Sequence, residues 1–187
     1  MFLYSYNMKN TKKKFELKYL ILSALFAALT VICSQISIPM PFSPVPFSLG
    51  IVAIFLTGQL LPKKYSLISV LIYLLMGIAG LPVFSNFSGG AGMLLGPTGG
   101  FLMGYPLAAF FISALLEKTE KGNFWIVTLI TIASIFIIYI PGSALLGRYM
   151  GISFPEAFAI GALPFLIPDI IKAALSSLLT KLIHKKI

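Results

Sequence analysis

Long apolar runs, interrupted at intervals by short polar or Gly/Pro-rich stretches, fill the chain. They predict six helices: 17–37, 46–61, 65–81, 99–116, 124–146, and a last one from near Pro168 into Lys181. A single helical span of a bilayer takes about 20 residues. Six such segments and their links therefore use the whole chain and leave no room for a separate catalytic domain. Several of the runs are shorter than a full span, which predicts a bundle with recessed loops rather than straight isolated rods.

Composition turns this pattern into a fold class. Of the 187 residues, 58% are hydrophobic and 10% charged, and the mean hydropathy is +0.99. A soluble domain carries roughly a quarter charged residues, so most of this surface must meet lipid. The expectation is an all-α integral membrane protein with a single membrane domain over 1–187: a basic segment, 1–16, followed by a six-helix bundle over 17–184. The basic start and apolar run resemble a secretory leader, but the run is long and lacks the small residues that cleavage needs. Ile32 before Cys33 likewise argues against lipoprotein-type processing. The segment is read as a retained helix.

The net charge of +9 would suggest nucleic acid in a soluble protein. Here the basic residues sit between the apolar runs and read as topology instead, with no nucleic-acid partner. Lys9, Lys12, Lys13, Lys14 and Lys18 precede the first helix, and Lys63 and Lys64 separate the second and third. Lys118 and Lys121 separate the fourth and fifth, while Lys181, Lys185 and Lys186 close the chain. With six spans, all of these fall on one side. The other side keeps Arg148, and Lys172 lies within the last helix. Positive charge marks the cytoplasmic face, so both termini are expected inside.

The opposite links become the informative ones. The first, from Ser37 to Pro46, has four prolines and no charge. The second, from Pro82 to Thr98, is rich in glycine. The third, roughly Gly147 to Ile167, has room for a short helix near Pro155. Irregular uncharged backbone is tolerated at membrane depth only where protein buries it or where it lines a cavity. These outer loops are therefore expected to cap a ligand pocket.

Asp169 and Lys172 are the sharpest chemical signal. Three residues apart on a helix, they share a face, and ionisable groups within a span mark function by default. With Pro168 as the first helical residue, the pair would sit at a recessed helix N-terminus whose dipole favours anions. The competing reading is an ion pair that only holds helices together. Asn86, in Phe84-Ser-Asn-Phe-Ser, offers an amide with donors and an acceptor, or else serves as a turn residue. The Gly96-Pro-Thr-Gly-Gly100 stretch lacks the lysine and the setting of a phosphate loop and reads as close helix packing. Ala24 and Ala28, with Ser23 and Ala27 beside them, let another helix approach closely, either within the chain or from another subunit. Cys33 and His184, the only cysteine and histidine, exclude an intrachain disulfide and a multi-histidine metal site.

Several stretches resemble the BioY family in its own order. They are Ala24-Leu-Phe-Ala-Ala28, Ile36-Ser-Ile-Pro39 through Pro44-Val-Pro-Phe47, Gly80-Leu-Pro-Val-Phe84, Gly96-Pro-Thr-Gly-Gly-Phe-Leu102, and Pro164-Phe-Leu-Ile-Pro-Asp-Ile-Ile-Lys172. Pro168 stands where the family usually has glycine, and Gly50 where it often has glutamine. The resemblance implies a six-helix substrate-binding (S) component of an energy-coupling-factor (ECF) transporter in a bacterial cell membrane. Such a protein captures biotin for import driven by a transmembrane coupling subunit and two ATPases. It also implies that Asn86, Asp169 and Lys172 bind biotin; on their own chemistry, apolar neighbours such as Phe84 and Phe87 suit its ring. Ala24 and Ala28 would dock the coupling subunit, and no cofactor or metal is implied. Asp169 and Asn86 suit the ureido group, and Lys172 the carboxylate. The rival functions are an S component for another vitamin, an ion-driven secondary transporter and a membrane enzyme. The enzyme lacks a nucleophile–base or metal constellation.

Overall fold

The computed structural model describes residues 2–119 and 123–184, with side chains over 16–119 and 123–183. Helix α1 spans Phe2–Gln35, and a hairpin of β1 (Ser37–Met40) and β2 (Ser43–Ser48) follows. Then come α2 (Gly50–Leu60), α3 (Lys63–Ile78), a 3-10 turn (Ser85–Phe87), α4 (Gly92–Leu95), α5 (Gly99–Leu116), α6 (Phe124–Met150), α7 (Phe154–Gly161) and α8 (Leu163–His184). Among the described residues, four stretches are long and apolar enough to cross a membrane: Glu16–Gln35, Gly99–Leu116, Phe124–Met150 and Leu163–Ile183. With α2 and α3 they occupy the six predicted segments.

The first link is a two-stranded antiparallel hairpin where the proline content predicted only irregular chain. Ser37 pairs with Ser48, Ile38 with Phe47 and Met40 with Ser43, and the ladder is irregular between Ile38 and Met40. An isolated ribbon needs donors on one edge of each strand only, so prolines are accommodated where the missing N–H would face away. The hairpin takes Pro46 and Phe47 into β2. Helix α2 therefore begins at Gly50 rather than at residue 46, and its 11 residues make a helix about 16 Å long.

A second difference concerns the last helix. It begins at Leu163, and Pro164, not Pro168, lies in its first turn. Pro168 sits inside the helix and has no N–H to offer the carbonyl of Pro164. At 22 residues α8 is about 33 Å long, so shortness does not recess its start. Asp169, six residues in, lies about 9 Å below that start. It is beyond the first turn, where the helix dipole acts, so the pair does not sit at a helix terminus as expected.

Backbones meet where side chains vanish. A Cβ on Gly104 would come within 2.7 Å of the Ile138 Cα, and one on Gly100 would strike the Pro141 carbonyl. Helices α5 and α6 therefore pack at a separation only glycine permits. Gly151 ends α6 in the left-handed conformation (φ 68°), and α7 follows, near Pro155 as predicted. At the end away from the hairpin, Glu117 accepts from the Lys63 backbone N–H at 3.0 Å and pairs with its ammonium at 3.1 Å. The side chains of Lys9, Lys12, Lys13, Lys14 and His184, and residues Lys121, Lys185 and Lys186, lie outside the described residues.

Candidate functional site

Beneath the hairpin, the loops and helices enclose a cleft with two lobes. The helix-lined lobe, about 390 Å³ including its mouth, is walled by Ile51, Ile138, Tyr139, Phe165, Asp169 and Lys172 among others. The loop-lined lobe, about 680 Å³ including its mouth, is walled by Phe84, Ser85, Asn86, Ser88, Met93 and Thr98. Val45, Pro46, Ser48, Phe101 and Tyr105 border both lobes. Small-molecule sites are concave, with apolar walls and a few placed polar groups.

Those polar groups are set with care. Asp169 and Lys172 are 4% and 6% exposed, and the ammonium meets Asp169 Oδ1 at 2.9 Å. Tyr139 donates its hydroxyl to the other carboxylate oxygen at 2.7 Å. Lys172 also donates to the Ser48 carbonyl at 2.8 Å and stands 3.8 Å from the Phe47 ring centroid. An ionised pair is tolerated at this depth only when its remaining hydrogen-bonding capacity is engaged. A carboxylate offers about four lone-pair sites, so Asp169 keeps acceptor capacity toward the cleft.

Asn86 lies in the second lobe, held in the left-handed conformation at φ 59°, and Phe87 follows at φ 56°. Two residues at the hairpin base fix this turn. Ser37 donates its hydroxyl to Asn86 Oδ1 at 2.9 Å and accepts the Asn86 backbone N–H at 3.2 Å. Gln35 accepts from the Phe87 N–H at 3.0 Å and donates to the Pro82 carbonyl at 3.2 Å. With its carbonyl taken by Ser37, Asn86 has its amide donors to offer.

The candidate residues thus divide. Asp169 and Lys172 meet in one lobe, and Asn86 and Phe84 border the other. Phe84 is 1% exposed, stacked edge-on against Tyr73 with centroids 5.5 Å apart. Phe87 is 71% exposed and borders neither lobe. On α1, Ser23 and Ala27 are buried, while Ala24 and Ala28 face outward. Tyr139 and the Ser48 carbonyl went unread in the sequence. A tyrosine inside an apolar run looks like any interior aromatic, and a backbone acceptor leaves no trace in composition.

The sequence pattern of the BioY family matches residues 8–187. The biotin transporter BioY of Thermotoga maritima is 40% identical over 169 residues, covering 90% of this chain and 97% of that one. A probable biotin transporter BioY of Pyrococcus horikoshii is 40% identical over 153 residues, 82% of this chain and 88% of that one. Among solved structures, the S-component for biotin from an ECF-type ABC transporter, a crystal structure at 2.1 Å, superposes with a TM-score of 0.85. It is 30% identical, with 92% of this chain and 93% of that one covered.

Proposed function

The chain belongs to the BioY family, and from that premise we propose that it is the substrate-binding subunit of a biotin uptake transporter. The family is one of transporter S components, so the chain is a membrane protein and not an enzyme, and biotin is its cargo rather than a cofactor. The observation that carries the reading for this chain is the buried Asp169–Lys172–Tyr139 cluster opening onto a cleft beneath the hairpin.

Biotin has a neutral ureido ring with two N–H donors and one carbonyl, an apolar ring and an acidic tail. Asp169 and Lys172 touch each other, so they serve the same end of an extended ligand unless the pair parts. A second carboxylate brought beside Asp169 would meet like-charge repulsion. We therefore assign the pair to the ureido head: Asp169 accepts its N–H groups and Lys172 donates to its carbonyl. The amide donors of Asn86 then face the acidic tail in the loop-lined lobe. Phe84, Phe101 and Tyr105 supply apolar wall. This revises the expectation that Lys172 holds the carboxylate.

The whole chain acts as one membrane unit of six spans in a bacterial cell membrane, with both termini cytoplasmic. It works with a transmembrane coupling subunit and two ATPases. The outward-facing Ala24 and Ala28 give α1 a shallow face on which a partner helix packs closely.

Equilibrium titration of the purified chain against biotin, riboflavin and thiamin tests the assignment. Saturable binding of biotin, with no competition from the other two, is expected. Preference for riboflavin or thiamin would refute it.

A further inference from the structure

Below the helix-lined lobe a single amide ties three helices together. Gln59, on α2, is 3% exposed. Its Nε2 lies 2.8 Å from Thr131 Oγ1 on α6, and 3.0 and 3.3 Å from the hydroxyls of Ser176 and Ser177 on α8. Its Oε1 accepts from Thr180 at 2.7 Å. The same three helices bring the cleft its polar end: Ser48 leads into α2, Tyr139 is on α6, and Asp169 and Lys172 are on α8. Ser176 and Thr180 lie one and two turns beyond Lys172 on the α8 face that bears it, about 6 and 12 Å along the axis.

Resting on the biotin-binding reading of that site, we propose that Gln59 is a positioning residue for the ligand. It fixes the register of α6 against α8 and so the meeting of Tyr139 with Asp169. Between helices in lipid the hydrophobic drive is weak, and close packing and interhelical hydrogen bonds set the arrangement. Three of the hydroxyls that Gln59 gathers also donate to their own helix. Thr131 donates to the Val127 carbonyl at 2.7 Å, and Ser176 and Ser177 both donate to Ala173 at 2.8 Å. Their donors therefore stay satisfied without the glutamine. What its removal takes away is the link between helices and one acceptor, that of Thr180, which suits a register pin better than a folding requirement.

A double-mutant cycle reads this role directly. Gln59→Met, similar in volume, should weaken biotin binding by about three- to tenfold, the range of one to two interhelical hydrogen bonds in a membrane protein. Sites this far apart normally add, so a purely structural defect would cost the same in any background. Here the effect of Gln59→Met should shrink when Tyr139→Phe has already broken the contact it serves. Thr131→Val, which cuts only the α6 link, should reproduce the loss if Gln59→Met does not fold. Wild-type affinity in both Gln59→Met and Thr131→Val, or strict additivity with Tyr139→Phe, overturns the proposal. If Asp169→Asn still abolishes binding in that case, the site reading stands without it. If Asp169→Asn binds biotin normally, the site reading and this proposal fall together.

Discussion

Tyr139 and Asp169, thirty residues apart on α6 and α8, are joined by a buried hydrogen bond of 2.7 Å. The phenol and the Lys172 ammonium approach different carboxylate oxygens, which fixes the plane of the acid and aims its unused lone pairs. Removing the phenol hydroxyl frees that plane and leaves a buried acceptor short of a partner, at a cost of about 1–3 kcal/mol. Tyr139→Phe should therefore lower thermal stability and weaken biotin binding by about tenfold. Thermal unfolding and calorimetric titration on the same preparation check both halves.

The assignment of ligand ends has its own signature. If the ion pair grips the ureido head, Lys172→Met weakens biotin and a carboxyl-amidated analogue by the same factor. Asn86→Gly, which keeps the left-handed turn open to the backbone, should discriminate between them, costing biotin more than the amide. Competition titrations with the two ligands measure this. A Lys172→Met defect confined to biotin would return the carboxylate to Lys172.

Phe84 and Phe87 look alike in sequence and differ in consequence. Phe84 is packed on Tyr73 and fills the space above Gly77, where a Cβ would strike its ring. Phe84→Ala should cost about 3–5 kcal/mol, as for other buried phenylalanines. Phe87 is exposed and strained at φ 56°, so Phe87→Gly should be neutral or mildly stabilising and leave biotin affinity unchanged. Denaturation in detergent distinguishes the two.

Outside the spans, acid should loosen α7. Glu156 accepts from the Ser153 backbone N–H at 2.8 Å and from its hydroxyl at 2.7 Å. These bonds hold its carboxyl below the ordinary value of 4.5. Because the folded value is the lower one, the stabilising contribution is complete above pH 4.5 and is lost as pH falls through the depressed value. Amide protection at the start of α7, relative to the intrinsic exchange rate at each pH, should fall on acidification below that point. Ser153→Ala should be less protected already at neutral pH and less responsive to acid.

Much of this architecture was legible because lipid imposes long apolar runs. The segment 99–116 is α5 to the residue, and the spacing of Asp169 and Lys172 alone puts them on one face. The hairpin was hidden because its prolines argue against strands, and only the pairing of Ser37 with Ser48 reveals where their missing donors do no harm. The extended start of α8 was masked by two prolines four residues apart, either of which suits a first turn. Gln59 left a signal that the apolar pattern drowned: one amide in an 11-residue helix otherwise almost without polar groups. Tyr139 left none, since its function is in a contact with a helix far along the chain.

The measurement that bears most directly on the cleft separates an ion pair that binds from one that merely braces. Replacing a buried pair by apolar residues of similar bulk is often neutral or stabilising, whereas removing one partner costs about 3–5 kcal/mol. Asp169→Leu combined with Lys172→Met should therefore still fold, as judged by thermal unfolding. It should be less stable than the wild type only through the partners it strands, the Tyr139 hydroxyl and the Ser48 carbonyl, at about 1–3 kcal/mol each. It should show no saturable biotin binding in equilibrium titration. A folded double variant that still bound biotin with wild-type affinity would contradict the account.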